Sequence, residues 1–347
     1  RTMPPLLEAR KLRKVYRGGG LFASAAAETV AVEGFSMSVS DETPYFVTIA
    51  GESGSGKTTI AQLLLGLTPP TDGTIMYQGT DLRTLKGDGL HSFRKDVQAI
   101  FQDPFEVYNP FYKIDHILTT PIQKFALAAS KAEAYDQIHQ ALRTVGLRPE
   151  ETLGRYPHQL SGGQRQRIAI ARALLLKPKL IIADEPVSMV DASLRATILA
   201  SLHTLYRDFG ISFIYITHDL TTAYQVSENI VILFHGTVAE AGNTERVIKD
   251  PQHPYTCELI HSIPVPEPGS GWIEEAVEEK IVDDPDAEEQ AQGCRYALRC
   301  PQAMDRCAAS PPFYRTEGDR AVSCFLYEDK PVLGSGDLDE VFQERDK

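Results

Sequence analysis

The sequence has no long apolar run. Its longest apolar stretches, such as Leu180 to Ala183 and Ile211 to Ile216, fall far short of the roughly 20 residues that span a bilayer. The beginning of the chain also lacks the pattern of a secretory signal peptide. We therefore expect any role at a membrane to come through a partner.

The sequence also lacks an excess of positive charge. Its 35 Lys and Arg residues stand against 47 Asp and Glu residues, which gives a formal net charge of −12. Phosphate backbones attract clustered Lys and Arg and repel an acidic surface. We therefore expect no nucleic-acid partner, whereas a nucleotide site depends only on local residues.

Cysteine is scarce and unevenly placed. Of five cysteines, Cys257 stands alone, and Cys294, Cys300, Cys307 and Cys324 crowd the C-terminal region, separated by five, six and sixteen residues. In a cytosolic chain such a cluster indicates a metal site rather than disulfides. The short C-x₂-C spacing that favours zinc is missing. From the residues alone, an iron–sulfur cluster, zinc and unligated packing thiols remain alternatives.

What is present predicts an α/β protein with one large domain and a smaller appendage, in 347 residues of which 42% are hydrophobic. An opening strand at Leu6–Tyr16, a glycine- and alanine-rich hairpin loop reaching Glu28 and a second strand to Ser40 come first. Short apolar runs then alternate with helical periodicity, which is typical of a parallel sheet. The predicted strands are Tyr45–Ala50, Leu180–Ala183, Ser212–Thr217 and Asn229–Phe234, and the predicted helices include Thr58–Leu67, Leu118–Ala129 and Ala132–Val145.

A phosphate-binding loop is the strongest motif. The residues Gly51-Glu-Ser-Gly-Ser-Gly56-Lys57-Thr58 match G-x-x-x-x-G-K-[ST], with a predicted strand before them and a helix after them. Glycines let backbone N–H groups converge on phosphate oxygens, Lys57 would reach the β and γ phosphates, and Thr58 would bind Mg²⁺. An ordinary glycine-rich turn is the alternative, and the flanking strand and helix argue against it. The predicted ATP contacts in this segment are Gly51, Ser53, Gly54, Ser55, Gly56, Lys57, Thr58 and Thr59.

Two carboxylates follow the apolar run Leu180–Ala183. Ligands bind at the carboxyl ends of strands in open parallel sheets, so a Mg²⁺-holding Asp belongs at this position. We predict that Asp184 contacts the metal and that Glu185 polarises the attacking water. A solvated loop before Pro186 is the structural alternative.

A further segment, Leu160-Ser-Gly-Gly-Gln-Arg-Gln-Arg167, resembles the signature sequence of the ATP-binding cassette (ABC) family. The resemblance implies a RecA-like core with an antiparallel β subdomain and a helical subdomain, here followed by a small cysteine-containing C-terminal region. In the family, two cassettes dimerise head to tail, and this segment completes the ATP site of the opposite subunit. The residues so implicated are Ser161, Gly162, Gly163 and Gln164.

Four other positions match the family in order. Gln102 resembles the glutamine that contacts Mg²⁺ and water and senses the permease. Asp191 resembles the D-loop aspartate, although Met189-Val190 replaces the usual Ala-Leu. His218, at the end of a predicted strand, resembles the switch histidine that contacts the γ-phosphate. Tyr16 resembles the aromatic residue that stacks on adenine, with simple strand packing as its alternative.

One branch of the family is the best match. Phe101 to Pro110, Arg155 to Gln159 and Pro251 to Thr256 resemble the ATPase subunits of oligopeptide and dipeptide importers. Some members of that branch hold a [4Fe–4S] cluster on cysteines placed like those near the end of this chain, which favours the cluster over zinc. We expect a cassette over 4–245 with its helical subdomain near 105–160, an importer-type region over 246–333 with a linker from Pro264 to Asp286, and a polar, disordered tail over 334–347.

The resemblance implies an ATP-hydrolysing subunit of an importer for peptides or related solutes, peripheral to the cytoplasmic side of the cell membrane. Its implied partners are a second ATPase subunit, two transmembrane permease subunits and an extracellular solute-binding protein. The glycine-rich insert after Tyr16 favours a different paralogue as the second ATPase. The alternative is an ABC ATPase of DNA repair or of the ribosome. Repair members carry long coiled coils inside the cassette and ribosome-associated members usually carry two cassettes, and neither pattern occurs here.

Overall fold

The computed structural model describes residues 4–17, 28–103, 108–263, 293–333 and 338–342. The hairpin loop expected after Arg17 and the linker expected from Pro264 lie outside the described residues. So do residues 104–107 of the importer-like segment.

A small antiparallel sheet opens the fold. Its strand order is β2-β1-β4-β5. Leu7 of β1 pairs with Val39 of β2 on one side and with Tyr77 of β4 on the other. The two opening strands were predicted, and β4 and β5 were not. The strands are β1 (Leu7–Arg17), β2 (Glu28–Val39), β4 (Asp72–Tyr77) and β5 (Thr80–Asp81).

A larger sheet carries the site. Its order is β11-β12-β10-β9-β3-β8-β7-β6, and β9, β3, β8, β7 and β6 run parallel. The buried apolar runs predicted as strands form its centre, because strands covered on both faces are apolar throughout. The strands are β3 (Phe46–Ala50), β6 (Val97–Ile100), β7 (Leu180–Asp184), β8 (Ser212–Thr217), β9 (Asn229–Phe234), β10 (Thr237–Asn243), β11 (Tyr314–Thr316) and β12 (Arg320–Val322).

Helices cover this sheet and build a helical side region. Residues from α3, α4, α6 and α7 share one buried cluster with β7 and β8. None of the helices in the described ranges is long and apolar enough to cross a membrane. The helices are α1 (Lys57–Leu64), α2 (Gly87–Asp96), α3 (Ile114–Lys124), α4 (Lys131–Thr144), α5 (Pro149–Thr152), α6 (Gly162–Leu174), α7 (Ala192–Phe209), α8 (Leu220–Val226), α9 (Thr244–Lys249) and α10 (Pro254–His261).

Two helices end earlier than the periodicity predicted. Helix α1 stops at Leu64 because Gly66 adopts a left-handed conformation with φ 66°, and Leu67 N–H turns back to the Gln62 carbonyl. Helix α3 begins at Ile114 and ends at Lys124, before Ala126 at φ 49°. A left-handed alanine carries no sequence signal, so this end was missed.

Residues near the end of the chain continue the larger sheet. Glu240 and Ala241 of β10 pair with Val322 and Ala321 of β12. Tyr296 and Cys300 pack in the same buried cluster as β9 and α10. The described residues of 293–333 therefore share the core of the rest of the fold.

The expected disordered tail is wrong for residues 338–342. A short 3₁₀ helix spans Leu338–Val341, and both of these end residues are buried in the core beside Phe342. Ser38 N–H donates to the Asp339 carboxylate at 2.9 Å. The few apolar residues in this polar segment share one face of the short helix, a spacing that composition alone does not reveal.

Candidate active site

The phosphate loop joins β3 to α1, as predicted. Gly51, Gly54 and Gly56 have φ of 152°, 83° and 97°. A Cβ on Gly56 would lie 2.2 Å from the Ala31 carbonyl oxygen, and one on Gly51 would lie 2.2 Å from that of Leu233. Only glycine allows the loop to lie this close to β2 and β9.

Helix α1 begins without a side-chain cap. Its N-cap residue is Gly56, and no side chain accepts a hydrogen bond from its first turn. The first N–H groups of a helix have no partner within the helix and carry its positive dipole end. This helix start is therefore suited to a phosphate group.

Lys57 is buried inside the loop. Its Nζ donates to the carbonyls of Gly51 at 2.8 Å and Glu52 at 2.5 Å, and to Ser55 Oγ at 3.3 Å. Burial lowers the pKa of Lys57, and the nearby carboxylates of Glu185 and Asp184 act in the opposite direction. Its contacts hold the ammonium group within the loop, where an anionic ligand would meet it.

Asp184 ends β7 beside Thr58. Asp184 is 8% exposed, and burial raises the pKa of its carboxyl group while the hydrogen bond with Thr58 lowers it. Its Oδ1 is buried and has no hydrogen-bond partner among the described residues. A buried carboxylate oxygen without a partner, next to a threonine hydroxyl, fits the oxygen ligands that Mg²⁺ prefers. Two of the three residues predicted to contact Mg²⁺, Thr58 and Asp184, therefore lie together.

Glu185 connects the other predicted catalytic residues. Its Oε2 accepts from Gln102 Nε2 at 3.1 Å, and its Oε1 lies 2.8 Å from His218 Nδ1. The backbone of Glu185 has φ 45°, and its N–H donates to the Ile216 carbonyl of β8 at 2.9 Å. A left-handed glutamate is costly, and such conformations cluster at functional sites. Residues from three separate segments thus converge on one carboxylate.

One cavity of about 700 Å³ collects most of these side chains. The size is typical of a small-molecule site. Sequence reasoning missed Ala31, Glu52 and Leu259, since Ala31 and Leu259 belong to no motif and Glu52 fills a variable position of the loop. The lining residues are Ala31, Gly51, Glu52, Ser53, Gly54, Gly56, Lys57, Thr58, Thr59, Gln102, Glu185, His218 and Leu259.

Tyr16 does not line this cavity. It lies near the end of β1, pairs with Thr29 of β2 and is 41% exposed. Lys14 Nζ lies 5.1 Å from the centre of its ring. An adenine-stacking role for Tyr16 stays a prediction.

The signature residues lie away from the cavity. Ser161 caps α6, and its Oγ accepts from Gln164 N–H at 3.2 Å while Ser161 N–H donates to Gln164 Oε1 at 2.9 Å. A Cβ on Gly163 would lie 2.6 Å from Leu194 Cδ1, and one on Gly162 would lie 3.6 Å from the Met189 carbonyl oxygen. The signature segment therefore packs beside the start of α7, where Asp191 is the N-cap residue. None of these residues lines the cavity of the same chain.

The four clustered cysteines line one small pocket, together with His253 and Tyr296. All five cysteines of the chain lie in described segments, and none forms a disulfide. Burial raises the pKa of the Cys294 thiol, and raises that of Cys324 to about 11. Within the described segments, no three His, Cys, Asp or Glu side chains are arranged to hold a metal ion. The sequence cluster is thus a spatial cluster, and its ligand stays a prediction.

Comparison with known proteins matches two family models. The model of the ABC transporter family matches residues 33–188, and that of the oligopeptide/dipeptide transporter C-terminal region matches residues 239–307. A probable peptide ABC transporter ATP-binding protein of Sinorhizobium fredii is 38% identical over 92% of this chain and 90% of its own length. The oligopeptide transport ATP-binding protein OppF of Salmonella typhimurium is 38% identical over 80% and 82%.

The fold has solved relatives. The ATP-binding cassette MJ0796, in a dimeric post-hydrolysis state bound to ADP and phosphate, superimposes with a TM-score of 0.60. It is 29% identical and covers 69% of this chain and 98% of its own. Both sequence relatives are named as transport proteins, which argues against the DNA-repair and ribosome alternative. The chain therefore belongs to the ABC transporter family, as an ATP-hydrolysing cassette subunit.

Proposed function

We propose that this chain powers an importer of peptides, as one of two ATPase subunits on the cytoplasmic face of a membrane permease. The convergence of Lys57, Asp184, Gln102 and His218 around Glu185 is the observation that carries the proposal. The peptide cargo is supported by the names of the relatives. A division into a cassette over 4–245, an importer-type region over 246–333 and a tail over 334–347 belongs to the same proposal.

The chemistry would divide among the residues of the cavity. The loop N–H groups and Lys57 would bind the phosphates, and Thr58, Asp184 and Gln102 would hold Mg²⁺, which neutralises charge on the phosphate oxygens. Glu185 is the group placed to polarise the attacking water. Gln102 and His218 each hold one oxygen of Glu185, so they orient its carboxylate.

A second ATPase subunit would complete each site. Ser161, Gly162, Gly163 and Gln164 lie at the start of α6, away from the cavity of their own chain, and Ser161 is exposed whereas Gly163 is buried. A head-to-tail dimer would place them and Asp191 over the nucleotide of the neighbour. We propose a different paralogue as this neighbour, on the basis of the glycine-rich insert after Tyr16.

A groove on the helical side would receive a cytoplasmic segment of the permease. It is lined by Gln98, Tyr108, Tyr112 and other residues of the helical side and has a volume of about 440 Å³. Phe111, next to Tyr112 in the sequence, is 86% exposed. Lys113, Lys124 and Arg172 also line the groove, so the segment would carry apolar and acidic residues. A solute-binding protein outside the cell would deliver the cargo to the permease.

The test of function is recovery of the intact complex. The tagged full chain is purified from native membranes in mild detergent, and its partners and bound solutes are identified by mass spectrometry. We expect two permease subunits, a second ATPase subunit and bound peptides. Recovery with ribosomes or repair factors, without a permease, would support the alternative.

We also propose a [4Fe–4S] cluster on Cys294, Cys300, Cys307 and Cys324. Their common pocket supports this, since four thiolates are the donors that such clusters take. Anaerobically purified protein is expected to absorb visible light and to contain iron and sulfide. Cys300→Ser should lose both, whereas Cys257→Ser should keep them because Cys257 is outside the pocket. Zinc without iron would support a zinc site. A metal-free protein would show that the four thiols pack in the core without binding a metal.

A further inference from the structure

An arginine of the C-terminal region contacts the phosphate loop. Arg299 Nη1 donates to Glu52 Oε2 at 3.3 Å, and its Nη2 donates to Glu52 Oε1 at 3.4 Å. The two residues are 247 positions apart in the chain. Glu52 is the first residue after Gly51 in the phosphate loop and lines the cavity.

Arg299 is held in place from several sides. Its guanidinium lies 5.6 Å from the ring centre of Phe234 and 5.8 Å from that of Tyr296. It also donates to the carboxylate of Glu258 in α10, which accepts from the Tyr296 hydroxyl as well. The aromatic faces and the second carboxylate fix the guanidinium, so little side-chain entropy remains to be lost in the contact with Glu52.

The backbone of Glu52 is held by the same part of the fold. Its N–H donates to the hydroxyl of Tyr255 in α10 at 3.0 Å. On its other side, the Glu52 carbonyl accepts from Lys57 Nζ at 2.5 Å. The N–H and the carbonyl of Glu52 are therefore both fixed in the loop that would surround the phosphates.

The charge of Glu52 is unfavourable for an anionic ligand. A carboxylate in the wall of the cavity repels the phosphates of ATP, and the repulsion grows where the dielectric constant is low. The guanidinium of Arg299, 26% exposed against 37% for the Glu52 side chain, forms a partly shielded pair with it. The positive charge of Arg299 offsets part of that repulsion.

We propose that Arg299 is a positioning residue for ATP, because it neutralises Glu52 and so makes the C-terminal region part of the nucleotide site. The inference rests on the ATP site proposed above. It predicts a second-site rescue, which a purely structural role of Arg299 would not produce.

The test measures MgATP dissociation constants of the full chain by isothermal titration calorimetry. We expect Arg299→Gln to weaken binding about threefold to fivefold, the scale of a partly exposed ion pair. The double variant E52Q/R299Q should return to within about twofold of the wild type, because no uncompensated carboxylate remains in the wall of the cavity; Glu258, the other partner of Arg299, does not line it. Arg315→Gln is the matched control, since it removes an arginine of the same region that pairs with Asp319.

Each outcome is informative. Unchanged binding in R299Q, or a loss that E52Q does not relieve, would overturn the proposal. If R299Q does not fold, E52Q alone decides, since it should bind MgATP as tightly as the wild type or up to about threefold tighter. Weaker binding by E52Q would then contradict the inference. A wild-type chain that binds no MgATP would refute the ATP site itself, which is a separate result.

Discussion

Two helix starts in this molecule are built in opposite ways. Helix α1 begins at Gly56 with no side-chain cap, inside the cavity, whereas α6 begins with a complete capping box formed by Ser161 and Gln164. An uncapped start keeps its N–H groups for a ligand, and a capping box satisfies part of the start within the chain. The start of α1 is therefore ready to bind a phosphate within the single chain. In the proposed head-to-tail dimer, the start of α6 would form the other half of the nucleotide site in the neighbouring subunit.

The largest effect is expected from a substitution of Glu185. Glu185→Gln should retain MgATP binding by the single chain and lower turnover of the assembled complex about 10²- to 10⁴-fold, because the amide cannot accept a proton. Binding is measured by calorimetry and turnover by phosphate release. Glu245→Gln, which changes an exposed glutamate paired with Lys249, should leave both unchanged. Undiminished turnover in the Glu185 variant would remove this residue from the role of base.

A substitution at Gly162 tests the half of the nucleotide site that a neighbouring subunit would supply. Gly162→Asp adds an acid to the first turn of α6, which stabilises the helix start, and its Cβ has room at 3.6 Å from the Met189 carbonyl oxygen. Its charge would repel phosphates of the neighbouring chain. We expect turnover of the complex to fall about 10- to 100-fold, since like charges in contact cost several kcal/mol.

The control for Gly162 is Gly162→Ala, which adds the same Cβ without charge and should keep most activity. MgATP binding by the single chain should be unchanged in both variants, because these residues do not line its cavity. Weaker binding by the single Gly162→Asp chain would show that the signature segment acts within its own chain. This result would contradict its proposed role in the neighbour's site.

The smallest effect is expected at Tyr16. If this ring stacks on adenine, Tyr16→Ala should weaken MgATP binding by about 1 kcal/mol, or roughly fivefold. Phe209→Ala, which removes another exposed aromatic ring at the end of α7, is the control in the same calorimetric titration. Equal binding by the Tyr16 variant would show that the nucleotide contacts of the single chain come only from the phosphate loop and the strand ends.

The sequence indicated the site residues at the strand ends because each lies at or just after the end of a buried strand. Asp184 ends β7, Glu185 follows it and His218 follows β8, and parallel strands end at one edge. Sequence reasoning could not find Leu259 or Arg299, since no periodicity or motif links these distant residues to the loop. It also missed the end of α3 at Ala126, which depends on a local conformation rather than on residue type.

The pairing of β12 with β10 has a consequence for how the chain can be shortened. In the described part of the sheet, Glu240 and Ala241 meet the C-terminal strand on one side and β9 on the other. Removing residues 293–333 would leave the β10 backbone as an open sheet edge, and such edges recruit strands from other molecules. A truncated cassette would therefore tend to aggregate even where its fold survives, so the region protects the protein's solubility as well as completing its sheet.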